Sequence, residues 1–349
     1  MHYTASTEYL RKLGSDVTST DASIAQATPH HFSASALQSQ SALEHKSQSD
    51  RLLQQSDGRL TIRAYAKINL GLRIFPARAD GFHPLESWMV PISWYDTLFV
   101  SAGGPLNLRI TGRTAGVPTE IDKNLVGKAA VKLAAAAGIT PTGTIELHKV
   151  LPPGGGLGGG SADAANALVA LNTLWKLDWP DERLQAIAAE LGSDVAFFVQ
   201  SISSLCTGRG EIMSPLRPGH PLFAVLILPN QGLGTKEVYQ AFDAGHQHTA
   251  GSVPARTDWA RYAAATADEL NELLVNDLEP PAFAIAPWLA ELHQHARRAA
   301  GQTIHMTGSG STLFTLCSSA QAAEQLQERL RADLQGKCTC VPVRILRQR

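Results

Sequence analysis

The sequence has few cysteines and few aromatic side chains. Only four cysteines occur in 349 residues, and aromatic residues make up 6% of the chain. Cys338 and Cys340 alone lie close together, and a C-x-C pair without a second pair is a poor zinc spacing. We therefore expect reduced thiols, rather than a disulfide framework or a zinc site.

Long apolar runs and an excess of charge are also missing. No stretch reaches the ~18 consecutive apolar residues that a membrane helix needs, and the first residues lack the pattern of a secretory signal. The 30 Lys and Arg residues nearly balance the 31 Asp and Glu residues, so the formal net charge is −1. Such a chain has no general attraction for nucleic acid or for an anionic membrane, and local groups must hold any anionic ligand. We expect a cytoplasmic protein that acts on a small molecule, as a monomer or a weak homodimer.

The first 58 residues differ in composition from the rest. They include eleven Ser, six Gln and five Thr, and their apolar residues follow no sustained period. A segment of this kind buries too little apolar surface to offset the entropy lost on ordering. We predict a disordered extension over residues 1–58, an N-terminal domain over 59–218 and a C-terminal domain over 219–349.

The folded part opens with a strand. From Leu60 to Ile74 every even position is apolar, whereas the odd positions include Lys67 and Asn69. Alternation of this length is typical of a strand with one buried face. The elements predicted downstream are strands over Leu85–Ile92, around Leu98 and over Thr144–Leu151, and helices over Asn124–Ala137, from Ala162 to Trp175 and from Pro180 to Gly192. This mixture indicates an α+β or an α/β enzyme.

A glycine-rich loop separates one of these strands from the helix after it. The loop comprises Pro152, Pro153, Gly154, Gly155, Gly156, Leu157, Gly158, Gly159, Gly160, Ser161 and Ala162. Glycines let backbone N–H groups approach phosphate oxygens, and the start of a helix adds roughly half a positive charge. The order strand, glycine loop, helix therefore predicts a phosphate-binding loop.

Other types of glycine loop fit this segment less well. A P-loop ends in Gly-Lys-Ser/Thr, but no lysine follows the loop before Lys176. The pattern Gly154-x-Gly156-x-x-Gly159 matches a dinucleotide fingerprint, yet Asp178 follows a helix rather than the required strand. An NAD-dependent oxidoreductase remains an alternative that a titration with NAD would test. A flexible linker would leave the flanking strand and helix unexplained.

Six short segments, in a fixed order between about Leu60 and Val343, carry a family resemblance. They are Ala66–Leu70 (AKINL), Asp80–His83 (DGFH), Leu157–Ala165 (LGGGSADAA), Leu191–Phe198 (LGSDVAFF), Gly208–Glu211 (GRGE) and Met306–Ser311 (MTGSGS). Together with the loop, they resemble the galactokinase, homoserine kinase, mevalonate kinase and phosphomevalonate kinase (GHMP) superfamily. Within it, they resemble the family of 4-diphosphocytidyl-2-C-methyl-D-erythritol kinases.

The resemblance implies a fold and a reaction. The expected fold has two domains: an N-terminal domain with a mixed sheet and helices, and a ferredoxin-like C-terminal domain. The expected reaction is ATP-dependent phosphorylation of the 2-hydroxyl of 4-diphosphocytidyl-2-C-methyl-D-erythritol, a cytidine diphosphate derivative of non-mevalonate isoprenoid biosynthesis. ATP is the co-substrate and Mg²⁺ is expected with it, although the sequence identifies no magnesium ligand.

The resemblance also implies roles for individual residues. Taken alone, Lys67 reads as a solvated strand lysine and Asp194 as a helix N-cap. By resemblance these two are the catalytic residues, and the loop from Pro152 to Ala162 binds ATP. The residues that the resemblance assigns to substrate binding are Asn69, Phe82, His83 and Tyr239.

Two positions depart from the family pattern. Ala162 replaces a serine, so Ser161 is the one side-chain hydroxyl left at the end of the loop. Phe82 replaces a tyrosine, which keeps a stacking surface for a base but loses a phenolic hydrogen bond.

The sequence leaves two alternative functions open. One is a different kinase of the superfamily, which a panel of substrates would detect. The other is a nucleotide-binding protein without kinase activity.

Overall fold

The computed structural model describes residues 52–54, 57–78, 81–245 and 257–346. Within these ranges the chain forms an α+β fold with two β-sheets. Most of the predicted disordered extension, residues 1–51, lies outside the described residues. No helix in the described ranges has the length and apolar character needed to cross a membrane.

The first sheet is mixed and has seven strands. Its strands are β1 (Leu52–Gln54), β2 (Leu60–Ile74), β3 (Leu85–Pro105), β4 (Asn107–Gly112), β5 (Thr142–Lys149), β6 (Ser204–Thr207) and β7 (Ile212–Pro215). They run in the order β1-β2-β3-β5-β4, while β6 pairs with β3 and β7 pairs with β6. Only β4 and β5 are parallel to each other.

Four helices pack on this sheet and close the first core. They are α1 (Leu125–Ala137), α2 (Gly159–Leu174), α3 (Asp181–Ala189) and α4 (Ser193–Gln200). The start and stop of α1 follow from its sequence, since the Asn124 side chain accepts from the N–H of Val126 and Gly138 adopts the left-handed conformation. Helix α2 is buried along almost its whole length, which explains its run of alanines and leucines.

The second sheet has the ferredoxin-like order. Strands β8 (Phe223–Pro229), β9 (His305–Met306), β10 (Leu313–Cys317) and β11 (Cys338–Arg344) lie in the order β11-β8-β10-β9, and every pair is antiparallel. The helices of this part are α5 (Thr235–Gly245), α6 (Trp259–Ala264), α7 (Ala267–Leu273), α8 (Glu279–Ile285), α9 (Pro287–Ala300) and α10 (Ala320–Asp333). This arrangement confirms the expected α+β fold; the domain boundary near residue 219 stays a prediction.

A shared apolar core joins the two sheets. Ala66, Ile68 and Leu70 of β2 pack in one cluster with residues of β3 and with Leu226 and Phe314 of the second sheet. The even positions of β2 are buried from Leu60 to Ile74, as the alternation predicts. Its odd positions Lys67 and Asn69 face the other way and are also buried, which points to a functional cleft rather than solvent.

Two local predictions differ from the structure. The strands expected at Leu85–Ile92 and near Leu98 form one strand, β3. Residues 93–97, which connect them, contain neither glycine nor proline, so nothing in the connection favours a turn. Residues 52–54 fall within the segment expected to be disordered, but they form β1 and pair with β2. Three residues are too few to show a period, and they gain order from main-chain bonds to the sheet edge. The four cysteines are free thiols, as expected.

Candidate active site

A cleft of about 560 Å³ collects most of the residues singled out in the sequence. Lys67 and Asn69 of β2 line it, together with the loop from Pro152 to Ser161 and Asp194. The second half of the chain adds Tyr239 of α5 and the turn after β9, through Gly308 and Ser309. Residues far apart in sequence thus meet at one concave surface.

The glycine loop connects β5 to the start of α2. Gly158 precedes the helix without any side-chain cap, so the first N–H groups of α2 remain available to an anion. Gly156 and Gly158 have φ angles of 75° and 69°. A Cβ on Gly156 would lie 2.7 Å from the carbonyl oxygen of Thr307, and one on Gly158 would lie 2.7 Å from the Phe198 ring. Close packing, as well as the left-handed backbone, therefore requires glycine at these two positions.

Lys67 and Asp194 form an ion pair within the cleft. Lys67 Nζ lies 3.7 Å from Asp194 Oδ2; the lysine side chain is 5% exposed and the aspartate side chain 44% exposed. The backbone N–H of Lys67 also donates to the carbonyl oxygen of Leu157, at 3.0 Å, which joins β2 to the glycine loop. Asp194 belongs to the first turn of α4, where the helix dipole favours its negative charge.

Asn69 is held by a chain of hydrogen bonds that also reaches Lys67. Its Oδ1 accepts from Lys67 Nζ at 2.6 Å, and its Nδ2 donates to Ser87 Oγ at 2.6 Å. Ser87 Oγ donates onward to the carbonyl oxygen of Gly71, so it must accept from Asn69. Thr307 Oγ1 accepts from the backbone N–H of Asn69 at 2.9 Å. Asn69 thus orients the lysine, and its predicted contact with substrate stays a prediction.

Phe82 and His83 are not among the residues that line the cleft, although Phe82 contacts Arg209, which does line it. Phe82 is half exposed, and the guanidinium carbon of Arg209 lies 3.8 Å from its ring centroid. His83 Nδ1 is 2.8 Å from the carbonyl oxygen of Phe75, and its Nε2 is 2.8 Å from Asp243 Oδ1. Since these partners are acceptors, the ring engages them together only by donating from each nitrogen. Recognition of a base by these residues stays a prediction.

Tyr239 lines the same cleft as Lys67 and Asp194 and lies near enough to Asp194 to be affected by its charge. Burial, and next the negative charge of Asp194, raise the pKa of the Tyr239 phenol to about 12. The phenol is therefore neutral and can donate a hydrogen bond in the cleft.

Sequence reasoning missed a buried charge cluster at the base of the glycine loop. Lys149 Nζ lies 2.5 Å from Asp96 Oδ2 and 2.7 Å from Asp163 Oδ2, and each of the three side chains is at most 4% exposed. Asp163 is part of the motif LGGGSADAA, but nothing near it in the sequence identifies Asp96 as its neighbour. A charged residue in the middle of an apolar strand, as Asp96 is in β3, is the signal that could have revealed the cluster.

A second set of missed residues holds the turn after β9. Asn276 Nδ2 donates to the carbonyl oxygens of Met306 and Gly308, at 2.8 Å each. Glu279 Oε1 accepts from the backbone N–H of Met306 at 2.6 Å. Burial raises the pKa of Glu279 to about 7, and its bond to Met306 opposes this shift. These side chains fix the turn against which Gly156 packs.

The described residues hold no group of three or more His, Cys, Asp or Glu side chains that could bind a metal ion by themselves. Ser161 supplies the one side-chain hydroxyl at the end of the loop, since residue 162 is alanine. Binding of Mg²⁺ at this cleft stays a prediction.

Two family models match the chain. Residues 124–201 match the GHMP kinases N terminal domain, and residues 261–336 match the GHMP kinases C terminal model. The first range contains the glycine loop and Asp194, whereas the second contains the turn after β9.

Curated relatives and solved structures agree with these models. The chain is 38% identical over 288 residues to the 4-diphosphocytidyl-2-C-methyl-D-erythritol kinase of Thermobifida fusca, covering 80% of this chain and 93% of the relative. A crystal structure of 4-(cytidine 5'-diphospho)-2C-methyl-D-erythritol kinase superposes with a TM-score of 0.67 at 31% identity, over 82% of this chain and 98% of the other. Homoserine kinase from Cytophaga hutchinsonii shares the fold at 17% identity, with a TM-score of 0.62 over 84% of this chain and 96% of that one.

Proposed function

The chain belongs to the 4-diphosphocytidyl-2-C-methyl-D-erythritol kinases of the GHMP family, and on this basis we propose its reaction and the roles of its residues. It is a phosphotransferase that moves the γ-phosphoryl group of ATP to the 2-hydroxyl of 4-diphosphocytidyl-2-C-methyl-D-erythritol, a step of non-mevalonate isoprenoid precursor biosynthesis. The observation that carries this proposal is the Lys67–Asp194 pair beside an uncapped helix N-terminus and its glycine loop.

Asp194 is the proton acceptor in this reaction. Its carboxylate is partly open to the cleft, and it can take the proton of the 2-hydroxyl as the oxygen attacks phosphorus. Lys67 holds the carboxylate in place and lowers the cost of negative charge on the attacking oxygen. Asn69 fixes the direction of the lysine ammonium through the 2.6 Å bond.

The glycine loop receives the phosphates of ATP. The free N–H groups at the start of α2 and the glycine backbone supply donors without bulk, so the phosphate oxygens can lie against the main chain. Phosphoryl transfer requires mostly positioning and charge stabilisation, which this arrangement provides. The Ser161 hydroxyl is the protein's candidate ligand for a Mg²⁺ ion bound together with ATP, and such an ion would supply positive charge against the phosphates.

Phe82, His83 and Tyr239 are proposed to contact the cytidine end of the substrate. Phe82 and Tyr239 offer aromatic faces for stacking, which is worth ~1–3 kcal/mol and accepts any base. Selection of cytosine must then come from hydrogen bonds along the base edge, for which His83 and nearby main-chain groups are the candidates. Release of His83 Nε2 from Asp243 would be required for its ring to take part.

Product analysis tests the proposed function. With ATP and 4-diphosphocytidyl-2-C-methyl-D-erythritol, the protein should form ADP and a 2-phosphorylated product in equal amounts. Homoserine and mevalonate serve as competing acceptors in parallel reactions. ATP turnover that does not depend on the cytidine diphosphate substrate, or faster phosphorylation of another acceptor, would contradict the proposal.

A further inference from the structure

Two backbone N–H groups of β2 in the cleft donate to partners outside the first sheet. The N–H of Lys67 donates to the carbonyl oxygen of Leu157 at 3.0 Å. The N–H of Asn69 donates instead to a side chain, the hydroxyl of Thr307, at 2.9 Å. A carbonyl oxygen only accepts, whereas a hydroxyl that accepts still has a proton of its own to donate. The partner of Asn69 can therefore act on a second group, and that of Lys67 cannot.

The second group that the Thr307 hydroxyl reaches is the side-chain amide of the same asparagine. Thr307 Oγ1 donates to Asn69 Oδ1 at 3.3 Å. The amide oxygen thus faces two donors, the Thr307 hydroxyl and the Lys67 ammonium, while Nδ2 faces the accepting hydroxyl of Ser87. Turning the amide over would set its NH₂ group against the ammonium, so these partners permit one orientation of Asn69.

Thr307 is itself held firmly and does not reach the cleft. It is 0% exposed and is not among the residues that line the cleft. Asn276 Nδ2 donates to the carbonyl oxygens of its two neighbours, Met306 and Gly308, at 2.8 Å each. The N–H of Thr307 donates to the carbonyl oxygen of Thr312 at 3.1 Å. Any effect of Thr307 on the reaction must therefore pass through the groups that it touches.

We propose that Thr307 is a positioning residue for phosphoryl transfer. Its hydroxyl fixes the amide of Asn69, and this amide directs the ammonium of Lys67, 2.6 Å from Asn69 Oδ1, toward Asp194. A Cβ on Gly308 would lie 3.2 Å from Asn69 Oδ1 and 3.5 Å from Lys67 Nζ, so the turn lies directly against this contact. The inference rests on the proposed function for the roles of Lys67 and Asp194.

Three variants separate the hydroxyl from the packing around it. Thr307→Val keeps the size of the side chain and removes the hydroxyl, whereas Thr307→Ser keeps the hydroxyl. Thr315→Val is the matched control, because Thr315 is also 0% exposed and its hydroxyl makes two bonds of 2.7 Å. It accepts there from Gln302 Nε2 and donates to the carbonyl oxygen of Thr303, and neither partner lines the cleft.

Steady-state kinetics test the positioning role. Thr307→Val should lower kcat by about 10–100-fold, because a misdirected ammonium stabilises the transferring group less well. KM for ATP and for the acceptor should change by less than about threefold, since the groups that bind them remain. Thr307→Ser and Thr315→Val should keep kcat within about threefold of the wild type, although both valine variants lose a buried hydrogen bond and should melt lower. Equal losses of kcat in the two valine variants, or in Thr307→Val and Thr307→Ser, would overturn the proposal.

A double-variant cycle tests the route through the amide. In an Asn69→Ala background, Thr307→Val should lower kcat by less than about twofold more, because the group through which it acts is gone. If the effects of the two substitutions multiply in full, Thr307 acts by another route and the proposal is wrong.

Amide hydrogen exchange followed by NMR tests the contact without any substrate. The Asn69 N–H should exchange at least about tenfold faster in Thr307→Val and at the wild-type rate in Thr315→Val. Unchanged protection in Thr307→Val would overturn the inference whatever the wild type phosphorylates, whereas product analysis of the wild type tests the proposed function by itself. If Thr307→Val does not fold, Thr307→Ala, which lacks the hydroxyl and adds no bulk, takes its place in each comparison.

Discussion

The packing of the glycine loop on the turn after β9 leads to a quantitative prediction. Gly154 and Gly156 have nearly the same backbone, with φ angles of 76° and 75°. A Cβ on Gly154 would meet nothing within 4 Å, whereas one on Gly156 would lie 2.7 Å from the Thr307 carbonyl oxygen and 2.9 Å from that of Gly310. Alanine at the two positions therefore incurs the same backbone strain, but only Gly156→Ala forces the loop away from the turn.

The expected magnitudes follow from these contacts. The left-handed backbone costs an alanine about 1–2 kcal/mol at each site. Overpacking against main-chain atoms adds about 1–3 kcal/mol for Gly156→Ala alone. With an unfolding entropy of about 2.1 cal/mol/K per residue, a chain of this size shifts in Tm by about 1–2 °C per kcal/mol, so Gly156→Ala should melt about 1–6 °C below Gly154→Ala. A loop displaced by about 1 Å should also lower kcat/KM for ATP by roughly 10²-fold.

The assay compares the two variants side by side. Thermal melts followed by circular dichroism give the difference in Tm, and initial rates at varied ATP give kcat/KM. Equal losses of stability and activity in Gly154→Ala and Gly156→Ala would refute the reasoning, because backbone strain would then account for the whole effect and the contact with the turn for none.

Three further predictions concern the proposed catalytic pair Lys67 and Asp194, the carboxyl group of Glu279, and His83. Asp194→Asn should lower kcat by ~10²–10⁴, and adding Lys67→Ala should cost less than the product of the single effects, since the two residues act together. Burial raises the pKa of the Glu279 carboxyl group from its ordinary 4.5 to about 7 in the folded protein. The folded protein therefore holds this proton more tightly than the unfolded chain does. The stability that results is fully present below pH 4.5 and is lost as the pH rises to about 7. Glu279→Gln should remove that pH-dependent loss, about 3 kcal/mol in the free energy of unfolding. Asp243→Ala should free His83 from its contact with Asp243 and lower KM for the cytidine substrate by up to about fivefold. This is the change expected when binding no longer has to break a contact as strong as an exposed ion pair.

Each of these has a result that would contradict it. Full multiplicative losses in the double variant would show that Lys67 and Asp194 act independently. An unchanged slope of stability against pH between the wild type and Glu279→Gln would remove that carboxyl from the pH dependence. A raised KM in Asp243→Ala would mean that Asp243 supports the site rather than competes with the base, and His83→Ala provides the reference for loss of the ring.

The local elements were predictable because their signals are local. The alternation from Leu60 to Ile74 matches β2 residue for residue, and the cap Asn124 and the stop Gly138 bound α1 as expected. The glycine loop between strand and helix was identifiable because it needs only a short run of sequence. The family resemblance then supplied the fold, which the two sheets and the relatives confirm.

Only the tertiary structure decided what surrounds each functional group. The 3.7 Å approach of Lys67 to Asp194, the bond of Asn69 to Thr307 and the burial of Asp96 beside Lys149 join residues from different elements. The sequence by itself determined strands, helices, the loop and the chemical types available, because these depend on near neighbours in the chain. Partners, burial and protonation depend on which surfaces the two sheets bring together, and no periodicity within one segment encodes that.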